Sequence, residues 1–466
     1  MITYDFEKAE GPMYMHVYKC LKKDIIEGKL KENEKLPSKR TFARNNGIST
    51  ITIENAYDQL ISEGYIYTIP KKGYYVAHIE HIARKTNNID VQYKIDVNEK
   101  KKYSIDLSDN SINPSNFPFS VWTKVSREVM STKKEELMTI SPVNGVFELR
   151  EAIAKHLQSF RGMLVDPNQI VIGAGTEFLY GIITEMLGKN KTFAIENPGY
   201  KKLEKIYNQK DISCYHAVID ENGMTVKGLK KTKADIAHIC PNHHFPTGVT
   251  MPASRRYEML SWANEGEDRY IIEDDYDSEF RAKGKPLPTL FSIDGCEKVI
   301  YINTFSKSLS PTIRISYMVL PIHLANLFYE KMSFYACTVS NFEQYTLAEF
   351  IKKGYFEKHI NRMRLFYSRQ RKKVIDIINH SSLKDKCKVK ENDSGLHFLL
   401  QLNTKLKDEV IEEKLAEKDI KIKALSDYYF EDSGSKKEHF FIINYSKLEE
   451  EKIKKALETI NEILKS

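Results

Sequence analysis

The segment YINTFSKSLSPTIR (Tyr301 to Arg314) presents Lys307 just past an apolar run, among hydroxyl side chains, with an arginine seven positions further on. An amine held in this way can form a Schiff base with an aldehyde, while a guanidinium and hydroxyl donors can hold a phosphate. The set suits a small molecule bearing both groups. Taken alone, a lysine and a later arginine would equally describe a surface segment, so the upstream residues matter. In IIEDDYDSEF, Asp274 and Tyr276 follow another apolar run. A carboxylate beside a pyridine nitrogen keeps it protonated and makes the ring an electron sink, and a tyrosine can hydrogen-bond a phenolic oxygen on such a ring. Asp275 and Asp277 read as solvated or structural. IGAGTEF (Ile172 to Phe178) joins a strand to a helix through small residues, leaving backbone N–H groups and the helix N-terminus open to phosphate, although any tight strand-helix turn uses glycine. ENPGYKK supplies Tyr200, either a ring that stacks on a pyridine or a core tyrosine after a Pro-Gly turn.

Those residues need a frame that brings distant segments together. Short apolar runs at Ile170–Ile172, Thr192–Ile195, Ile236–Cys240, Tyr270–Ile272 and Val299–Ile302 alternate with helix-like segments, and each is followed by Gly, Pro, Asn or Asp. This is the pattern of buried strands running into site-forming loops, and it predicts a mostly parallel α/β domain. After about residue 335 helical patterns dominate, and a smaller α+β piece closes the chain.

The first 80 residues read differently. Tyr14, Val17, Tyr18, Leu21 and Ile25 repeat at helical spacing up to Gly28. Ser38 is placed to cap a second helix ending near Asn46 and Gly47, and Ser49 a third, whose buried stripe is Ile53, Ala56, Tyr57 and Leu60. Tyr65–Ile69 and Tyr74–Ala77 then form two strands around a Pro70 to Gly73 turn. The expected order is helix, helix, helix, hairpin. LPSKR, GISTITIENAY, EGYI and KKGYYV, in this order, resemble the GntR-type winged helix-turn-helix. The resemblance implies double-stranded DNA as partner, with Lys39 and Arg40 on the backbone, Ser49, Thr50 and Thr52 at the start of the recognition helix, and Lys71 and Lys72 on the wing. That family usually has arginine where this chain has Thr50, so a strong guanine contact is missing. A small module used for protein contacts is the alternative.

Composition sets the bounds. The 466 residues exceed one ordinary core, and the net charge of +7 (71 − 64) permits nucleic-acid binding without requiring it. Residues 1–80 hold 12 basic and 11 acidic side chains, so any phosphate contact there must come from a local patch. No apolar run approaches the roughly 20 residues of a membrane span, and the N-terminus lacks a secretory pattern, which predicts a cytoplasmic protein without a membrane role. The six cysteines are scattered without metal-ligand spacing and read as reduced thiols. Expected domains are a DNA-binding head at 1–80, a linker at 81–105, within which Val91–Val97 can pair locally, and a body at 106–466.

Together the motifs resemble fold-type I pyridoxal-phosphate enzymes, and specifically the MocR/GabR family of regulators. The likeness includes GVFELREAI, FPTG, YFEKHINRMRLFYSRQR and SGLHFLL. It implies aminotransferase-type large and small domains, pyridoxal 5'-phosphate, and a head-to-tail homodimer on promoter DNA with paired half-sites. By the same resemblance Lys307 is the Schiff-base lysine, Arg314, Thr304 and Ser306 hold the phosphate, and Gly175, Thr176 and Glu177 form its backbone cradle. Asp274, Tyr276 and Tyr200 take the ring roles described above. Aminotransferases carry asparagine where Phe245 stands, leaving His243 or His244 to replace it.

A transaminase grips its substrate's carboxylate, usually through a C-terminal arginine. Here Ile442 occupies that position, and no arginine follows Arg371. In the family member that senses a γ-amino acid, an arginine stands two positions after the stacking tyrosine; Lys202 stands there in this chain. The sequence therefore favours a sensor, reading pyridoxal phosphate itself or an amino compound, over an aminotransferase with a DNA-binding arm.

Overall fold

The computed structural model describes residues 2, 4, 11–79, 101–109, 113–281, 287–390, 395–430 and 436–465. Contacts divide the chain into two units, residues 1–99 and 100–466. In the first, α1 (Met13–Ile26) buries Val17, Tyr18, Leu21 and Ile25. α2 (Lys39–Asn46) starts where the Ser38 hydroxyl accepts the Thr41 N–H at 3.2 Å, and it ends on Gly47, whose φ of 67° favours glycine. α3 (Thr50–Ser62) is capped in the same way by Ser49, which accepts the Thr52 N–H at 3.1 Å. The hairpin is β1 (Ile66–Ile69) against β2 (Gly73–Val76), antiparallel. The three helices and hairpin close one core around Leu21, Phe42, Ile53, Tyr57 and Val76. The expected local pairing of Val91–Val97 lies outside the described residues.

The second unit begins with β3 (Ile105–Asp106) and is built around an eight-stranded sheet. Its strands are β4 (Ile170–Gly173), β5 (Phe193–Asn197), β6 (Cys214–Asp220), β7 (Gly223–Met224), β8 (Ile236–Ile239), β9 (Tyr270–Asp275), β10 (Val299–Thr304) and β11 (Ser316–Val319), in the spatial order β4-β11-β10-β9-β8-β5-β6-β7. The ladders from β10 through β9, β8 and β5 to β6 are parallel, whereas β11 runs antiparallel to both neighbours. Both faces are covered, as a parallel sheet requires. Phe193, Ile195, Ile272, Ile300 and Ile302 pack on one side against Ile183, Tyr207 and Phe328. Ala194, Ala237, Ile271 and Val299 pack on the other against Met259 and Trp262. This alternation places every second strand-end residue on the same face.

The helices Asn341–Lys352 and Tyr355–Asn379 lead to a second sheet of β12 (Cys387–Lys390), β13 (His397–Leu402), β15 (Lys423–Ala424) and β16 (Phe440–Asn444), ordered β12-β13-β16-β15. β14 (Ile420–Lys421) pairs with β3, tying the start of this unit to its end. Among the described residues no helix is long and apolar enough to cross a membrane, and no group of three or more His, Cys, Asp or Glu is placed to hold a metal.

Candidate functional site

The parallel strands all end on one side of the sheet, where a topological crevice forms the natural ligand site of such folds. β4 delivers Thr176, β5 Glu196 and Tyr200, β8 Cys240, His244 and Phe245, β9 Asp274 and Tyr276, and β10 Thr304, Ser306 and Lys307. Arg314 enters just before the reversed strand β11. All of these line a single cavity of about 410 Å³.

The cavity is built to receive a polar guest. Asp274 is held by Tyr180, whose hydroxyl donates to Oδ2, and His238 Nε2 lies 3.5 Å from the same oxygen. Its other oxygen, Oδ1, is buried with no hydrogen-bond partner among the described residues, and so are Ser306 Oγ, Glu196 Oε1 and His238 Nε2. Unsatisfied polar atoms such as Asp274 Oδ1, Ser306 Oγ and Glu196 Oε1 in the lining of a cavity are costly unless a ligand satisfies them. Gly175, at φ 98°, precedes the helix Thr176–Leu187, and a Cβ there would collide with the Arg314 guanidinium. Arginine, glycine backbone and helix N-terminus thus form one anion cradle. The Thr304 hydroxyl caps the turn Phe305–Ser308, accepting the Ser306 N–H at 3.1 Å, which fixes the segment presenting Lys307. Burial lowers the Lys307 amine to about 8 against the opposing pull of Asp277 and Asp109.

Other predicted residues sit near the cavity in different states. Glu177 does not line it: its carboxylate pairs with Lys202 and lies 3.6 Å from Arg314. Tyr200 is half-exposed at the rim. The Tyr276 hydroxyl donates to the His243 carbonyl at 3.0 Å. Of the two histidines, His244 lines the cavity, with Nδ1 2.7 Å from Thr247 Oγ1, and burial lowers it to about 3, so it is neutral. His243 instead bonds Asp277 at 2.9 Å. Asp275 and Asp277 are buried rather than solvated: Asp275 pairs with Arg161 and accepts from Tyr301 at 2.7 Å and Asn242 at 2.8 Å.

Sequence reasoning missed Tyr180, His238 and Glu196. Glu196 directly precedes the NPG turn, yet its carboxyl is buried, accepts the Cys240 N–H at 2.9 Å, and is pushed up to about 8 by desolvation. The odd-even pattern of strand β8 gave a usable signal for His238, since it shares a face with Cys240.

The position expected for a carboxylate-gripping arginine is apolar. Ile442 is 1% exposed and clusters with Leu399, Leu425 and Tyr429, with Phe245, Tyr428 and Phe440 packed against them. Phe245 stacks edge-on to Tyr428 at 5.3 Å and reaches Tyr200 at 6.1 Å. The cationic side chains lining the cavity are Lys307 and Arg314.

In the first unit Arg40, Ser49, Thr50, Lys71 and Lys72 are exposed. Lys39 is mostly covered, pairing with Glu54 at 2.7 Å and Asp58 at 3.6 Å. Thr52 shares a 2.8 Å hydrogen bond with Ser49 within the cap.

A lysine, a carboxylate and an arginine cradle converging at the strand ends of such a sheet define a fold-type I pyridoxal-phosphate protein, here in one chain with a winged helix. Residues 103–460 match the family "Aminotransferase class I and II", and residues 13–76 match "Bacterial regulatory proteins, gntR family". The chain is 36% identical to the uncharacterized HTH-type transcriptional regulator YdeL of Bacillus subtilis (strain 168), over 89% of each chain. It is 26% identical to the HTH-type pyridoxine biosynthesis transcriptional regulator PdxR of Corynebacterium glutamicum, over 94% of this chain and 93% of that one. The fold is similar to that of Pyrococcus horikoshii kynurenine aminotransferase, with a TM-score of 0.68 and 23% identity, covering 82% of this chain and 99% of the other. The chain belongs to the MocR/GabR family of transcription regulators, which join a GntR-type DNA-binding head to an aminotransferase-class body. Its cofactor is pyridoxal phosphate, which the orphaned atoms and anion cradle fit.

Proposed function

We propose that the body reads pyridoxal phosphate itself and passes that reading to the DNA-binding head. The single observation that carries this is the apolar cluster around Ile442, which meets the cavity through Phe245 and Tyr428 and offers no cation to a substrate carboxylate. Burying an unpaired carboxylate there costs several kcal/mol, so α-amino acids are poor guests. Lys202 does not replace the missing arginine, because Glu177 already holds it. The relative PdxR, named as a regulator of pyridoxine biosynthesis, supports the same direction.

When bound, pyridoxal phosphate supplies an aldehyde that condenses with an amine and a pyridine ring that withdraws electrons. Lys307 provides the amine, and its lowered pKa keeps a useful share neutral. Arg314, Ser306 and Thr304 would hold its phosphate, with the backbone of Gly175, Thr176 and Glu177 as the cradle. Asp274, oriented by Tyr180 and His238, would keep the ring nitrogen protonated, Tyr200 would stack on the ring, and Tyr276 would hydrogen-bond its phenolic oxygen. In the head, Arg40, Lys71 and Lys72 hold phosphates, Lys39 offsets the charge of Glu54 and Asp58 beside them, and Ser49, Thr50 and Thr52 set the start of the recognition helix. The protein acts in the cytoplasm as a head-to-tail homodimer on paired half-sites.

Absorbance titration tests the body directly. Pyridoxal phosphate gives a lysine-dependent visible band with the wild type and none with Lys307→Ala. Amino acids added to the loaded protein yield no sustained keto acid. Steady turnover would overturn the sensor reading in favour of an enzyme.

A further inference from the structure

The recognition helix carries an unusual exposed face. α3 turns Ile53, Ala56, Tyr57 and Leu60 into the core, which leaves Thr50, Ile51, Glu54, Asn55, Asp58 and Gln59 outside. Ile51 is 68% exposed at the second position of the helix. An isoleucine there buries little within its own unit, in a region where the neighbouring positions are polar. Asn55 stands four residues on, hence on the same face, and is exposed. The two carboxylates on this face, Glu54 and Asp58, are both turned to Lys39. Pairing reduces their repulsion toward DNA and leaves Ile51 and Asn55 as the groups free to meet base edges. Where the fold's relatives would place an arginine, Thr50 offers no fork for guanine.

The chemistry of that pair matches one kind of base pair. A branched aliphatic group complements the C5-methyl of thymine, and an asparagine amide can bond adenine N6 and N7 together. The two residues are about 6 Å apart along the helix axis, about two base-pair steps. We infer that Ile51 and Asn55 are the specificity-determining residues of the head, and that they read thymine and adenine in an A·T-containing half-site rather than guanine. This rests on the reading of the head as a major-groove binder.

The full-length protein is used to select duplexes from a random library, and the selected duplex is then remade with deoxyuridine at individual thymines. Uracil differs from thymine only by the methyl group. The expected result is one thymine per half-site whose replacement weakens binding about fourfold, the effect of one buried methyl. Ile51→Ala, a surface change that leaves the core intact, binds thymine and uracil duplexes equally. Likewise 7-deazaadenine, which lacks N7, weakens the wild type at one adenine but not Asn55→Ala. Half-sites with G·C at these positions, or uracil tolerated everywhere by the wild type, would overturn the inference while leaving DNA binding intact. Enrichment of no duplex at all would instead remove the major-groove reading on which it stands, and the inference with it.

Discussion

A lysine that must attack an aldehyde has to be uncharged at that moment. With its amine lowered to about 8, Lys307 is roughly one-tenth neutral at pH 7, against well under a thousandth for an ordinary lysine. The sign is that of a base whose neutral form burial favours: the reactive share falls about tenfold for each pH unit below 8 and levels above it. Stopped-flow absorbance should therefore show cofactor loading at pH 6 about ten times slower than at pH 7, and a flat profile would show that amine deprotonation does not limit loading. At this scale the motif around Lys307, Asp274 and Arg314 was legible in the sequence, because strand-end residues of these types have few other uses together. Glu196 was not: a glutamate before a turn reads as solvated, and only the packing of β5 against β8 reveals that its carboxyl is buried.

Strand β9 shows how one element can serve both chemistry and stability. Asp274 and Tyr276 face the cavity, while Glu273 and Asp275, on the other parity, are buried beneath it. Asp275 is sustained by Arg161, which reaches in from the helix Phe147–Arg161. Removing one partner of a buried pair leaves an uncompensated charge, at about 3–5 kcal/mol. Thermal unfolding of Arg161→Met should show a loss of that order, and Arg161→Met with Asp275→Asn should regain much of it, since Asn242 and Tyr301 remain beside the amide. Equal loss in the double variant would mean that charge pairing is not what holds β9. Five buried strands of the large sheet were visible as apolar runs, but β6, β7 and β11 were not. β6 mixes polar and apolar residues towards the sheet edge, β7 is two residues long, and β11 is a four-residue piece that follows the arginine motif directly.

For the whole molecule, the winged helix and the aminotransferase-class body were each legible from ordered motifs, whereas the exposed Ile51 and the apolar closure at Ile442 required coordinates. Both extend what the sequence already shows, that the head lacks an arginine for guanine and the body one for a carboxylate. A ligand can alter DNA binding only through a difference in its affinity for the two states of the protein. The most direct measurement is the affinity of the full-length protein for DNA from its own promoter region, at fixed salt, with and without pyridoxal phosphate, for the wild type and Lys307→Ala. The account predicts a shift of roughly fivefold or more in the wild type and none in the variant. Identical affinities with and without the cofactor in the wild type, accompanied by a shift on adding an amino acid, would contradict it.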